Sequence, residues 1–222
     1  MYRNDKKRVE HLLVEGTDVN ALSKDKTGFT YLMYSVFLDN RFDIAKLLLQ
    51  HKADPNLVSK VTFKGMKREV YYLPLTFAAD RLPIDYMKVL LEYSADPSVA
   101  YVSRDGKKHL NATYPMNVVV KSTYLPSKWS RDEYLDDIRN KIELLLSYGA
   151  DFSTKDNVAY TVFEDAEINP EILLYIMDKE KNTKLYGSKL MKNSKNSWKN
   201  SNQETRVIYE KIINKLTEAG YK

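Results

Sequence analysis

The sequence predicts an all-α protein in which pairs of helices repeat along the chain and stack side by side. The main observation is a motif that occurs four times: two adjacent leucines, a short turn and an aspartate at a constant distance. Repetition with constant internal spacing is typical of stacked units that bury their apolar faces against each other. The four copies are Leu12-Leu13 with Asp18, Leu48-Leu49 with Asp54, Leu90-Leu91 with Asp96, and Leu145-Leu146 with Asp151.

A helix is predicted before each leucine pair, and a shorter helix after each turn. Ile44, Leu47 and Leu48, for example, recur at helical spacing. Two of the shorter helices carry a proline at the first helical position, whose N–H has no helical partner. Small residues such as Ser35 and Ala78 follow and let neighbouring helices approach closely. The shorter helices are predicted to open at Thr30, Leu73-Pro74, Tyr114-Pro115 and Thr161.

These motifs resemble the ankyrin repeat, in which Thr-Pro-Leu-His-x-Ala opens an inner helix and Leu-Leu-x-x-Gly-Ala-Asp closes an outer one. The resemblance covers about residues 5–178. It implies an ankyrin-repeat solenoid of stacked helix pairs with extended β-hairpin loops. The family's histidine is missing, so the hydrogen bonds that it supplies between loops must come from elsewhere or be absent. Its place is taken by Met33, Thr76, Asn117 and Glu164.

The repeat stack is expected to occupy residues 1–178, and residues 179–222 form a basic linker followed by a capping helix or a degenerate fifth repeat. A first helix from Lys6 to Glu15, capped by Asn4 or Asp5, has no inner helix before it. Either a half-repeat caps the stack, or further residues precede it in the native protein. Within the stack we expect a half-repeat cap at 1–20 and repeats at about 21–56, 57–98, 99–153 and 154–178.

Three insertions lengthen the repeats, because the aspartates lie 36, 42 and 55 residues apart, against about 33 in the family. Residues 57–72 alternate in polarity about Lys64-Gly65, and residues 99–112 contain Asp105-Gly106, a favoured hairpin turn. Both segments are predicted to be lengthened β-hairpins standing side by side. The third insertion, Ser122 to Asp137, separates the helices of one pair and is too apolar for a solvated loop.

The residue after each outer helix is expected to adopt a left-handed conformation, which glycine adopts at least cost. Gly16 and Gly149 occupy two of these positions, whereas Lys52 and Ser94 occupy the other two.

The composition indicates a soluble cytoplasmic protein. Cysteine is absent, which excludes disulfides and cysteine-based metal sites. No apolar run approaches the length of a membrane helix, and no signal-type stretch follows the charged start of the chain. The expected location is the cytoplasm of the producing cell, or of a host cell if the protein is an effector. Abundant Lys, Asn and Tyr are typical of AT-rich bacterial or viral genomes.

The net charge of +5 is concentrated near the end of the chain. Residues 179–202 hold seven lysines and a single acid, Glu180, which leaves the rest of the chain close to neutral. Basicity is therefore a local property of this segment.

Catalysis is not expected. The only histidines are His11, His51 and His109, and without cysteine there is little nucleophile or base machinery to assemble. The recurring aspartates are predicted to be turn residues that accept hydrogen bonds from nearby backbone N–H groups, rather than metal ligands. No cofactor or metal is expected.

The family resemblance implies that a partner binds on the concave side, through the inner helices and the hairpin fingers. Carried over position by position, the binding residues in the first full unit are Lys26, Phe29, Phe37 and Leu38. Those in the second and third units are Tyr72, Asp80, Arg81, Lys121 and Ser122. Apolar groups with a charged rim are typical of a protein interface. The alternative is that the long hairpins fold back and cover these side chains as core.

Basic and aromatic residues also crowd the two predicted hairpins, among them Phe63, Arg68, Tyr101 and Lys107. Contact with an acidic protein surface is the first interpretation, because aromatics and arginine dominate interface hot spots. Solvated strands whose lysines discourage edge pairing are the second, and nucleic-acid binding is the third.

These observations predict a non-enzymatic scaffold that is monomeric when unbound and binds one protein partner. Neutralising a bacterial toxin, as an immunity protein does, and acting as an effector inside a host cell both fit this prediction. The alternative is a nucleic-acid-binding module that uses the basic hairpins and the lysine-rich tail. Binding through phosphates falls steeply with salt, whereas an aromatic interface weakens modestly.

Overall fold

The computed structural model describes residues 5–23, 28–38, 41–62, 69–99, 114–123, 126–155, 160–187 and 189–222. The chain divides into two compact units, Met1–Ala112 and Thr113–Lys222. Helices dominate the described residues of both units, which confirms the predicted helical class.

In the first unit, three outer helices lie in one row and two inner helices in another. Helix α2 packs against α3 and α4, while α3 packs against α1 and α5. The strands β1 and β2 form an antiparallel hairpin in which Ser59 lies opposite Tyr72. The elements are α1 (Lys6–Val14), α2 (Tyr31–Phe37), α3 (Phe42–Gln50), β1 (Ser59–Thr62), β2 (Glu69–Tyr72), α4 (Pro74–Arg81) and α5 (Ile84–Glu92).

The described residues of the second unit form three helix pairs. Its elements are α6 (Pro115–Val120), α7 (Arg131–Ser147), α8 (Val162–Asp165), α9 (Pro170–Lys179), α10 (Leu190–Asn200) and α11 (Gln203–Glu218). Short 3-10 helices lie at Ala166–Ile168 and Thr183–Tyr186. Helix α6 packs against α7 and α8, α9 packs against α7 and α11, and α10 packs against α11.

The leucine motif forms the centre of the core in three of its four copies. Leu48, Leu90 and Leu145 are each 0% exposed, whereas Leu12 of the first copy is 41% exposed. Within the described residues no inner helix precedes α1. In the other copies an inner helix covers the equivalent leucine, and without one Leu12 remains exposed.

The predicted helix starts are confirmed. Asp5 Oδ1 accepts the Arg8 N–H at 3.1 Å, which selects Asp5 over Asn4 as the first cap. Thr30 Oγ1 accepts the Met33 N–H at 3.0 Å, and Thr161 forms a capping box with Glu164. Such caps satisfy N–H groups that have no partner within the helix. Pro74 and Pro115 occupy the first turns of α4 and α6.

The predicted turns after the outer helices are also confirmed. Lys52 and Ser94 both adopt a φ of 68°, in the left-handed region where Gly16 and Gly149 also lie. Each motif aspartate accepts a hydrogen bond on Oδ1 from the N–H two residues later. The four bonds join Asp18 to Asn20 (2.9 Å), Asp54 to Asn56 (2.8 Å), Asp96 to Ser98 (2.7 Å) and Asp151 to Ser153 (2.7 Å).

Asparagine side chains link loops of the chain in the absence of the family's histidine. In the second unit Asn117, at the histidine position, accepts the Thr154 hydroxyl at 2.8 Å and donates to Asp165 Oδ2 at 2.7 Å. Thr76, at the same position in the first unit, has a buried hydroxyl that finds no partner among the described residues. Asn117 therefore supplies hydrogen bonds at the histidine position of its repeat, whereas Thr76 does not supply them at the same position of its own repeat.

The three insertions have different outcomes. The β1–β2 pairing confirms the first hairpin, whereas almost all of the second, residues 99–112, lies outside the described residues. The third insertion is partly helical, because α7 begins at Arg131 behind a capping box of Ser130 and Glu133. Helix α7 thereby reaches 17 residues, against nine in α3.

The last two helices, α10 and α11, lie within residues 179–222, which were predicted to form a basic linker followed by a capping helix or a degenerate fifth repeat. Residues 193–200 lie within α10, and Leu190 and Met191 of this helix are buried. Ile212 and Leu216 of α11 are buried as well. Gly220, with a φ of 88°, follows the end of α11. No helix in the described parts of either unit combines the length and apolarity needed to cross a membrane.

Candidate protein-binding surface

Five aromatic rings form a continuous cluster on the inner row of the first unit, between α2, α4 and β2. Phe29 lies at its centre, with its ring centroid 5.1 Å from those of Tyr34 and Phe37 and 6.1 Å from that of Tyr72. Phe77 completes the cluster, at 5.2 Å from Phe37 and 5.8 Å from Tyr72. Tilted and edge-on ring pairs of this kind each stabilise by about 0.5–1.5 kcal/mol beyond area burial. These five residues are called the aromatic patch below.

Exposure divides the aromatic patch into a base and an accessible layer. Phe29 is 3% exposed and Tyr34 is 9% exposed, so both belong to the core. Phe37, Tyr72 and Phe77 are half-buried. Phe29 was predicted to contact a partner, but its burial makes it a support for the rings above it. Of the side chains for which coverage as core was the alternative, Phe29 is buried, whereas Phe37 and Tyr72 are half-buried.

A buried hydroxyl connects the hairpin to the inner helices. The Ser59 side chain, 0% exposed, accepts the N–H of Thr30, the residue that caps α2, at 3.1 Å. Because Ser59 lies opposite Tyr72 in the β-ladder, this bond also places Tyr72 beside the start of α2. The ring of Tyr72 then meets Phe29, which directly precedes Thr30 in the chain. Hairpin register and helix capping thus determine the aromatic patch together.

A charged rim borders the aromatic patch at the end of α4. Arg81 Nε lies 2.8 Å from Asp80 Oδ2, and the Arg81 side chain is largely exposed. Burial raises the pKa of the Tyr72 hydroxyl, and the positive charge of Arg81 partly offsets this increase. Tyr72 therefore keeps its proton at physiological pH and can donate a hydrogen bond from a largely apolar surface. Leu38, half-buried, follows the last turn of α2.

The remaining predicted binding residues have other positions. Lys26, Phe63, Arg68, Tyr101 and Lys107 lie outside the described residues. Lys121 belongs to the second unit, where its Nζ lies 3.4 Å from Oδ1 of the buried Asp165. A buried carboxylate is costly unless it is paired and hydrogen-bonded. The Lys121 ammonium thus has a structural role within its own unit.

Tyr34 and Phe77 belong to the patch but were not among the predicted residues. The repeat register contains the signal that identifies them. Both lie four residues after the residue that precedes their inner helix, Thr30 for α2 and Leu73 for α4. Equivalent positions on neighbouring inner helices face the same side of a stack. Aligning the repeats therefore predicts that these two rings lie on the same face.

Metal chemistry finds no support in the described parts of the chain, because no three His, Cys, Asp or Glu side chains there are grouped to hold an ion. The motif aspartates instead accept backbone N–H groups within their turns.

The comparison with known proteins identifies one part of the chain. The ankyrin repeat family model matches residues 27–60, which run from the start of α2 into β1 and include Phe29 and Phe37. This match confirms the resemblance to the ankyrin repeat family. No curated protein matches the chain.

Proposed function

Starting from a chain with an ankyrin repeat at residues 27–60, we propose that the protein is a non-enzymatic scaffold that binds a partner protein. Ankyrin repeats generally mediate protein–protein interaction and are typically non-enzymatic modules. The binding surface that we propose is the accessible layer of the aromatic patch, namely Phe37, Tyr72 and Phe77, with Leu38 and the Asp80–Arg81 rim. The first hairpin forms its edge.

The arrangement of the aromatic patch is the observation that supports this proposal. Aromatic side chains and arginine are enriched in the few residues that dominate binding energy at interfaces. Phe29 and Tyr34 hold the accessible rings from below, so little side-chain freedom remains to be lost when a partner binds. Pre-organisation of this kind raises affinity by lowering the entropic cost of association.

We also propose that the helix pairs belong to an ankyrin-type solenoid. Packing of inner helix on inner helix, and of outer helix on outer helix, supports this within each unit. Small-angle X-ray scattering from the whole chain tests it. A scattering curve that fits a closed helical bundle better than an elongated stack contradicts the solenoid.

The identity of the partner would distinguish between the possible biological roles. Neutralisation of a toxin and action as an effector in a host cell both require a surface that binds one protein with high affinity. Affinity purification from the producing organism and from a candidate host separates the two roles, because a toxin partner is found in the first and a host protein in the second.

The surface itself is tested with single substitutions on the purified partner. We expect Phe37→Ala and Tyr72→Ala each to weaken binding by about tenfold or more, as removal of an interface hot spot does. Phe42→Ala is the matched control, because Phe42 forms an equivalent ring pair with Tyr86 at 5.1 Å on the outer row. Circular dichroism confirms that each variant is folded.

Two results would count against the assignment. One is full affinity in both Phe37→Ala and Tyr72→Ala, and the other is an equal loss in Phe42→Ala. Salt provides a further criterion, because binding anchored by aromatic rings weakens only modestly between low and high ionic strength.

A further inference from the structure

The structure separates the seven lysines of residues 179–202 into groups with different surroundings. Lys179 Nζ forms an ion pair with Glu143 at 2.6 Å. Lys189 Nζ lies 5.5 Å from the centre of the Tyr160 ring, at a cation–π distance. Lys181 and Lys184 lie between α9 and α10, outside both helices. The last three lysines, Lys192, Lys195 and Lys199, belong to α10.

Lys192, Lys195 and Lys199 share one face of α10, because their spacing of three and four residues corresponds to successive helical turns. All three are exposed, and within the part of the chain that the structure describes they form no ion pair or side-chain hydrogen bond. Helix α10 contains no acidic residue. These three residues are called the lysine face below. Like charges at this spacing repel each other, so an anionic ligand would relieve a cost that the free protein bears.

The α10 helix presents the lysine face from a firmly held position. Its opposite side buries Leu190, Met191 and Ser194. At its end, Arg206 of α11 donates hydrogen bonds to the carbonyl oxygens of Trp198 and Lys199, at 3.1 and 3.0 Å. Arg206 therefore supplies a donor to carbonyl groups of the last helical turn, which lack the full set of partners found in the middle of a helix. The three ammonium groups project from a fixed backbone.

The chemistry of the lysine face distinguishes between possible anionic partners. Lysine is depleted at the centre of protein–protein interfaces, where aromatic residues and arginine are enriched. A membrane-surface helix needs large apolar side chains on its lipid side, whereas the exposed neighbours of these lysines are Asn196 and Asn200. Lysine with small polar residues is instead typical of contacts to phosphate groups.

The spacing of the lysine face also suits a nucleic-acid strand. At a rise of about 1.5 Å per residue, Lys192 and Lys199 lie about 10 Å apart along the helix axis. One strand of B-DNA advances about 3.4 Å along the duplex axis with each phosphate, so a helix that lies along that axis covers the rise of about three phosphates. The lysine face is therefore long enough to contact several phosphates of a duplex.

We infer that the lysine face of α10 is a second interaction surface, which binds the phosphate backbone of duplex nucleic acid without reading its sequence. This inference is independent of the aromatic patch, which lies in the other unit and binds a protein. Three phosphate contacts give only moderate affinity. Binding through them depends strongly on salt, because each neutralised phosphate releases condensed counterions.

Fluorescence anisotropy of the whole chain with a labelled duplex of mixed sequence, about two helical turns long, tests this inference. With three contacts the affinity falls as about the 2.7th power of salt concentration, or about 40-fold between 50 and 200 mM. The triple variant Lys192→Gln, Lys195→Gln, Lys199→Gln should lose at least about tenfold in affinity and most of this salt dependence. A second duplex of scrambled sequence should bind equally well.

A matched triple variant controls for net charge. Lys7, Lys46 and Lys128 are exposed lysines on other elements, and their replacement by Gln removes the same total charge. We expect this variant to keep its affinity within about twofold of the original chain, because these lysines lie outside the lysine face and salt screens exposed charges that do not contact the duplex. Equal losses in the two triple variants would overturn the inference, since net charge alone would then explain binding.

Two other results would also overturn it. The first is the absence of any binding to duplex at 50 mM salt. The second is tighter binding to a polyglutamate peptide than to duplex, which would assign the lysine face to an acidic protein. Because the aromatic variants Phe37→Ala and Tyr72→Ala leave the lysine face unchanged, failure of the protein-binding proposal has no effect on these results.

Discussion

The side-chain oxygen of Asn56 accepts the backbone N–H of Asp96, 40 residues later in the chain, at 2.8 Å. The same amide group donates to the carbonyl oxygen of Ser94 at 2.9 Å. Asn20 repeats this arrangement one repeat earlier, with the Asp54 N–H at 2.8 Å and the Lys52 carbonyl at 3.5 Å. Each asparagine is itself placed by the motif aspartate two residues before it. Successive turns of the first unit are therefore tied together through backbone groups.

Substitution of Asn56 should lower stability. Asn56→Ala removes two hydrogen bonds between neighbouring turns, each worth about 0.5–1.5 kcal/mol, and we expect a total loss of about 1–2 kcal/mol. Urea denaturation followed by circular dichroism measures this loss. Asn140→Ala, at an exposed position of α7, is the control and should leave stability unchanged or slightly raised, because alanine favours helix. A stable Asn56→Ala variant would show that the ties between turns carry no net stability.

Glycine at Lys52 should raise stability. Lys52 adopts a φ of 68°, a conformation that costs side-chain-bearing residues energy and glycine little, so we expect a gain of about 0.5–1 kcal/mol from Lys52→Gly. The carbonyl that accepts Asn20 is retained. The contrasting variant is Lys46→Gly inside α3, where glycine costs about 1 kcal/mol. A melting temperature that falls for both variants would contradict the left-handed assignment.

Replacement of Glu167 should change the pH dependence of stability. Burial and the nearby Glu164 raise the pKa of Glu167 to about 7, although Asn193 donates to both of its carboxylate oxygens. The folded state therefore binds a proton more tightly than the unfolded state, whose glutamate pKa is about 4.3. Stability falls as pH rises from about 4.5 to 7 and remains lower above that.

Glu167→Gln removes this pH-dependent loss. We expect the variant to match the original chain near pH 4.5 and to exceed it by about 1–2 kcal/mol at pH 8, since part of the cost is screened by solvent. Urea denaturation at intervals across this range measures the difference. Glu10→Gln, which removes a carboxylate at an exposed position, is the control variant. A constant offset between Glu167→Gln and the original chain would mean that Glu167 does not titrate in this window.

Substitution of Phe29 should cost more stability than substitution of Phe37, although both belong to the aromatic patch. Because Phe29 is 3% exposed, Phe29→Ala should cost about 3 kcal/mol or more in unfolding free energy through loss of burial and a remaining cavity. Phe37 is half-buried, so Phe37→Ala should cost about 1 kcal/mol. Chemical denaturation of both variants provides the comparison. Equal costs would mean that the patch has no distinct base and accessible layer.

Much of the architecture could be predicted because it depends on short stretches of chain. Helical periodicity, the prolines of α4 and α6, the left-handed residues and the aspartate turns each involve interactions within about one or two turns of helix. A motif of a few residues therefore specifies them wherever it occurs. The repeat alignment adds information on residues far apart in the chain, because equivalent residues in successive repeats occupy equivalent positions. Alignment of the repeats alone shows that Tyr34 and Phe77 occupy equivalent positions.

The sequence by itself determined the helix pairs, their turns and the resemblance to the ankyrin repeat. The tertiary structure alone decided which of the predicted side chains are accessible. Phe29 and Phe37 are both apolar residues of one repeat, yet in the fold Phe29 is 3% exposed, beneath Tyr34, Phe37 and Tyr72, whereas Phe37 stays half-buried. Likewise the lysines of the tail look alike in sequence, and only their neighbours in space separate paired ammonium groups from the lysine face. Local propensity acts between adjacent residues, whereas burial and charge pairing depend on groups that the fold brings together.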